Sequence, residues 1–167
     1  MRRRCARCRA IELLQFLSKA CVPHAIATSG LRQSAARSLE MLDVDENLVI
    51  ITRDMVRYAK PDPDLFLAAA DQLGVSIHDS VVIGDSVWDL LAARRARAIG
   101  VGVLSGGYGQ EELERAGAYR VYQDPADLLE HPDEVGLRVV RGLKLTASKA
   151  PVETLVVTHV ERLPIEN

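Results

Sequence analysis

The sequence predicts a doubly wound α/β fold, a mainly parallel sheet covered by helices on both faces. Three observations carry that reading. Short apolar or β-branched runs alternate along the chain with segments of helical periodicity, which implies βαβ units. The helical segments between them run to ten or fifteen residues, the length a crossover between parallel strands needs. Polar residues Thr28, Lys60 and Asp85 follow directly after strands or in the loops beyond them, the end of such a sheet where ligands bind.

Each element can be justified in order. Ala10, Leu13, Leu14 and Leu17 recur at helical spacing, and Pro23 interrupts before the apolar strand Ala25-Ile26-Ala27. Beyond Thr28-Ser29-Gly30, the stripe Leu31, Ala35, Leu39, Leu42 predicts a second helix, and Leu48-Val49-Ile50-Ile51-Thr52 is a β-branched strand. Asp62 as N-cap with Pro63 at the first helical position would start a third helix, with Leu65, Ala69 and Leu73 on its buried face and Gly74 at its end. A strand from Ser80 to Ile83, a helix from about Ser86 to Arg97, a strand from Ile99 to Val103, a helix starting near Glu111 and a strand around Tyr119 to Tyr122 complete the alternation. Past about His131 the character changes. Leu137 to Leu145 and Thr154 to Val160 are β-type runs, and a terminal hairpin is the simplest expectation for them.

Composition narrows the function classes. A chain of 167 residues with 48% hydrophobic and 26% charged residues reads as one globular domain. No apolar run approaches the roughly 18 residues of a membrane span, and no signal peptide is recognisable, so the expected location is the cytoplasm. The net charge of -2 gives no electrostatic reason to expect nucleic acid, although five of the first nine residues are arginine. Cys5, Cys8 and Cys21 are odd in number and crowded at one end, which argues against a disulfide framework. Cys5 and Cys8 have metal-ligand spacing, but only Cys21 and His24 lie near enough to complete a zinc site, and reduced thiols are the simpler reading.

The most informative stretch is Val81-Val82-Ile83-Gly84-Asp85-Ser86-Val87-Trp88-Asp89, an apolar strand ending in a glycine and two aspartates four positions apart. Ala25-Ile26-Ala27-Thr28-Ser29 and Lys60-Pro61-Asp62-Pro63-Asp64 precede it, and Gly106-Gly107-Tyr108-Gly109 follows the next strand. Any one of these is an ordinary cap, loop or turn. Together, in this order and with spacings of 32 and then 25 residues from Thr28 to Lys60 to Asp85, they resemble the second, third and fourth motifs of the haloacid dehalogenase-like hydrolase superfamily, in particular its phosphoglycolate phosphatase-like members. The resemblance spans about residues 10 to 131 and implies a Rossmann-like three-layer core. It leaves 1–9 as an atypical arginine-rich N-terminus and 132–167 as an atypical tail.

The resemblance also implies roles. Thr28, with the N–H groups of Ser29 and Gly30, would bind phosphoryl oxygens, and Lys60 would neutralise their charge, so Thr28, Lys60 and Asp85 are the candidate catalytic residues. Asp85 would bind Mg²⁺, with Asp89 holding the metal's water shell or orienting Lys60. The expected partner is a small phosphorylated metabolite or inorganic phosphate. His24 on its strand reads as packed, Trp88 as packing over the rim with substrate stacking as an option, and Arg94, Arg95 and Arg97 as a solvated helix face.

One motif is missing. The family's first strand ends in Asp-x-Asp, whose first carboxylate attacks phosphorus, and here no aspartate or glutamate precedes Glu12. The cap that many members insert after that strand is absent too. The expectation is a truncated hydrolase core, inactive alone, with a non-catalytic phosphate- or metal-binding or interaction module as the alternative. The missing strand would lie at the centre of the sheet, between those carrying Thr28 and Asp85. Val156 and Val157 could occupy that slot, but a tail hairpin packed elsewhere is the simpler expectation.

Overall fold

The structure, a computed structural model, describes residues 6–42, 47–136 and 154–158. Helix α1 (Ala6–Lys19) leads into β1 (His24–Ala27), α2 (Arg32–Met41), β2 (Val49–Ile51), α3 (Asp64–Leu73), β3 (Ser80–Gly84) and α4 (Val87–Ala96). Then follow β4 (Ile99–Val103), α5 (Gln110–Ala116), β5 (Ala118–Tyr122), α6 (Pro125–Glu130) and β6 (Thr154–Thr158). The six strands form one sheet in the order β2-β1-β6-β3-β4-β5, and every neighbouring pair is parallel. This is the doubly wound architecture read from the sequence.

Alternation along the strands explains the two layers of helices, because successive side chains of a strand point to opposite faces. Val81 and Ile83 of β3 pack with Leu13 and Leu17 of α1 and Leu128 of α6, whereas Val82 packs with Leu65 and Phe66 of α3 and Ala92 and Ala93 of α4. In β1, Ile26 joins Leu14 of α1 and Leu42, while Ala25 and Ala27 join the α3 and α4 side. The near-continuous apolar runs of these strands follow from burial on both faces.

The tail departs most from the sequence reading. Strand β6 lies at the centre of the sheet, with Ala27 opposite Thr158 on one side and Ile83 opposite Val157 on the other. Both of its edges are therefore occupied. It has no edge left for the hairpin partner expected at 137–145, which lies outside the described residues. A hairpin would have exposed unpaired edges on β1 and β3, and a parallel strand between them removes both.

Smaller differences have local causes. Leu31, expected on the buried stripe of α2, is instead its N-cap and is exposed, because the helix begins at Arg32. Helix α3 begins at Asp64 with Pro63 as its N-cap, so Asp62 does not cap it; the Asp62 carboxylate lies 3.7 Å from Arg95 instead. Helix α1 starts at Ala6, Arg9 forms an ion pair with Asp124 at the head of α6, and Val135 is buried against the α1 cluster. Cys5 lies outside the described residues, and Cys21 is exposed. No helix among the described residues is long and apolar enough to cross a membrane.

Candidate active site

All strands being parallel, their carboxyl ends form one rim, and the loops after β1 and β3 deliver residues to it. Ser29, Lys60, Pro61, Asp85, Ser86, Trp88, Asp89, Gly106 and Tyr108 line a cavity of about 400 Å³ at that rim. Four of the site residues expected from the sequence, Ser29, Lys60, Asp85 and Asp89, meet there.

Lys60 is the hub. Its Nζ donates to the Ala27 carbonyl at 3.0 Å and lies 2.7 Å from Asp89 Oδ1, so one ammonium ties the end of β1 to the start of α4. Its side chain is 4% exposed and that of Asp89 is 0%. The Phe66 ring lies beneath the ammonium, with its centroid 5.4 Å away. A buried pair of this kind is retained where its geometry is good. The other Asp89 oxygen accepts from Ser86 N at 3.1 Å and from Ser86 Oγ at 2.7 Å. This is one half of a capping box on α4, completed by the Asp89 N–H donating to Ser86 Oγ.

Two glycines make the arrangement possible. A Cβ at Gly84 would overlap the Asp89 side chain, and one at Gly106 would overlap the Asp85 backbone and carboxylate. Only a residue without a side chain lets Asp89 fold back over the strand end and lets the loop after β4 close against Asp85. Gly106 was noticed in the sequence as part of a glycine-rich run, but its steric role is visible only across the β3–β4 gap.

Thr28 and Gly30 are placed differently from expectation. Neither lines the cavity. Thr28 is buried, its N–H donates to the Ile51 carbonyl at 2.9 Å, and its Oγ1 accepts the Gly30 N–H at 3.1 Å. That internal turn uses the amide that an anion would have taken, and leaves Ser29 as the residue of this loop that reaches the cavity.

The sequence reading did not find two supports of the site. Asp54, after β2, accepts from the Arg32 N–H at 3.0 Å and so caps α2 from another loop, replacing the cap Leu31 cannot supply. The Thr52 hydroxyl and the Arg32 N–H hold the Asp54 carboxyl below its ordinary pKa. Arg95, read as solvated, is exposed but donates to the Pro61 carbonyl at 2.9 Å and clamps the loop that carries Lys60. No local sequence signal marks either contact. His24 is packed as expected, with Nδ1 2.7 Å from the Val22 carbonyl at the opposite end of β1.

A metal test follows from the donor set. The resemblance gives Asp89 two roles, holding the metal's water shell or orienting Lys60, and its two oxygens are committed to Lys60 and to Ser86. No group of three His, Cys, Asp or Glu residues able to hold a metal occurs among the described residues. These residues do not make a resident Mg²⁺ site.

Comparison with known proteins places the chain. A sequence model of the haloacid dehalogenase-like hydrolases matches residues 6–97, more than half of the 167. Phosphoglycolate phosphatase from Agrobacterium fabrum is 34% identical over 97 residues, 58% of this chain and 42% of that protein. A hydrolase from Pseudomonas syringae superposes with a TM-score of 0.73 at 57% identity, covering 75% of this chain and 58% of that structure. A hydrolase of the family from Deinococcus radiodurans R1, solved with bound phosphate and sodium, superposes with a TM-score of 0.70 at 34% identity, covering 77% of this chain and 59% of that structure. The chain spans 40 to 46% of the length of the first curated relatives it matches.

Proposed function

Because this chain belongs to the haloacid dehalogenase-like hydrolase family, we propose that its rim cavity binds the phosphate group of a small phosphorylated metabolite, or inorganic phosphate, and that the chain alone does not hydrolyse the ester. The binding half rests on Lys60 and Ser29. An ammonium has three N–H donors. Two of those on Lys60 go to Ala27 and Asp89, which leaves one for an anion beside the Ser29 loop. The phosphate bound by the Deinococcus hydrolase supports an anion site in this fold.

The observation that carries the second half is the identity of the central strand. Where the resemblance puts the strand bearing the attacking aspartate, β6 runs as Thr154-Leu155-Val156-Val157-Thr158, without a carboxylate. An aspartyl-phosphate needs that nucleophile, and its loss reduces turnover by about 10⁴ to 10⁶, by analogy with hydrolases stripped of theirs. The family typically uses Mg²⁺, but the donor set here gives no step to derive through it.

The test uses the whole chain. Phosphate or vanadate titration should shift the Ser29 amide resonance in an NMR spectrum, and p-nitrophenyl phosphate with excess Mg²⁺ should show no turnover above background. Hydrolysis that disappears in Asp85→Ala would overturn the claim of inactivity. A folded chain whose Ser29 amide ignores both anions would return the protein to the non-catalytic interaction-module reading.

A further inference from the structure

The cavity has two unlike walls, and only one of them suits a phosphate group. Ser29, Lys60, Asp85 and Ser86 are polar, whereas Pro61, Trp88 and Tyr108 are ring-bearing residues of the same lining. Trp88 is 50% exposed although it is among the largest apolar side chains in the protein. It does not stand on a loose loop. It occupies the first turn of α4, one residue before Asp89, whose capping box and buried pair with Lys60 fix that turn. A large exposed aromatic on a rigid base, at the mouth of a cavity with a few polar groups, is the composition of a ligand site.

Charge restricts what the aromatic wall faces. Lys60 is the one cation among the lining residues, and it is already shared with Asp89, while Asp85 is a second acid in the lining. A substrate that carried a carboxylate besides its phosphate would meet like charge and no further cation among those lining residues. The cavity's 400 Å³ also falls within the range of about 300 to 1,000 Å³ typical of sites that enclose a whole organic ligand.

We infer that this site selects phosphate monoesters whose alcohol half is an uncharged ring laid against Trp88, over esters of short acidic alcohols. The inference rests on the phosphate-binding reading above and names its substrate class. It also sets this chain apart from its phosphoglycolate phosphatase relative, named for the ester of a short acid.

Calorimetric titration of the whole chain with four probes tests it: inorganic phosphate, phenyl phosphate, glucose 6-phosphate and phosphoglycolate. Trp88 is the only tryptophan in the sequence, so its fluorescence follows the same titrations at the site itself. The two ring esters should bind about three- to tenfold tighter than phosphate, with phosphoglycolate no tighter than phosphate. Trp88→Ala should remove the ring preference, so that the two ring esters bind no tighter than phosphate, and Trp88→Phe should keep most of it. Because the side chain is half exposed, both variants are expected to fold, which circular dichroism checks. A ring preference that survives in Trp88→Ala, or phosphoglycolate binding as tightly as the rings, overturns this inference while the phosphate site stands. Failure of all four probes to bind the folded chain overturns both.

Discussion

Lys60 Nζ stands 2.7 Å from Asp89 Oδ1 with both side chains almost wholly removed from water, so the cation expected to face an anion is held first by an internal carboxylate. The pair joins the loop that carries Lys60 to the first turn of α4, 29 residues further along the sequence, and fixes that turn against the end of β1.

Breaking that pair from one side should therefore cost more than removing it whole. Lys60→Met leaves a buried carboxylate without its counter-charge, and urea unfolding should register a loss of about 3 to 5 kcal/mol. Lys60→Met combined with Asp89→Asn, which keeps an oxygen for Ser86, should recover most of that loss. If the double variant is no more stable than the single one, the pair is not the coupling described.

Asp54 predicts an acid-side effect. Its carboxyl is held below the ordinary value by the Thr52 hydroxyl and the Arg32 N–H, so the charged form is favoured in the folded chain. A depressed folded pKa contributes stability that is present above the unfolded value, about 3.9, and is lost as pH falls through the folded value. Asp54→Asn should thus be less stable than the parent at pH 7, and the difference should shrink as pH falls below about 4. A difference that is constant from pH 7 to pH 2 would remove the charge from the explanation.

The central position of β6 is open to a backbone test. Val156 pairs with Ala25 on one side and Val82 on the other. Val156→Pro deletes a ladder N–H where no edge is exposed, and should destabilise the sheet by roughly 3 kcal/mol or more, seen as a lower urea midpoint. An unchanged midpoint would mean that the sheet does not depend on this strand.

Much was legible in the sequence because local pattern decides it. The alternation of β-branched runs with helical stripes gave the parallel sheet, since a strand buried on both faces must be apolar throughout and a helix between layers must carry an apolar stripe. The same reasoning put Lys60 and Asp85 at one rim, because parallel strands deliver their carboxyl ends to one side. What only the tertiary structure decided are the contacts between segments with no local trace of each other: Asp54 capping α2, Arg95 holding the Pro61 carbonyl, and Gly106 closing on Asp85. The choice of β6 as the central strand belongs to the same class. Its apolar run fits any buried slot, and what selects this one is the demand of two facing parallel edges, on β1 and β3, for a partner.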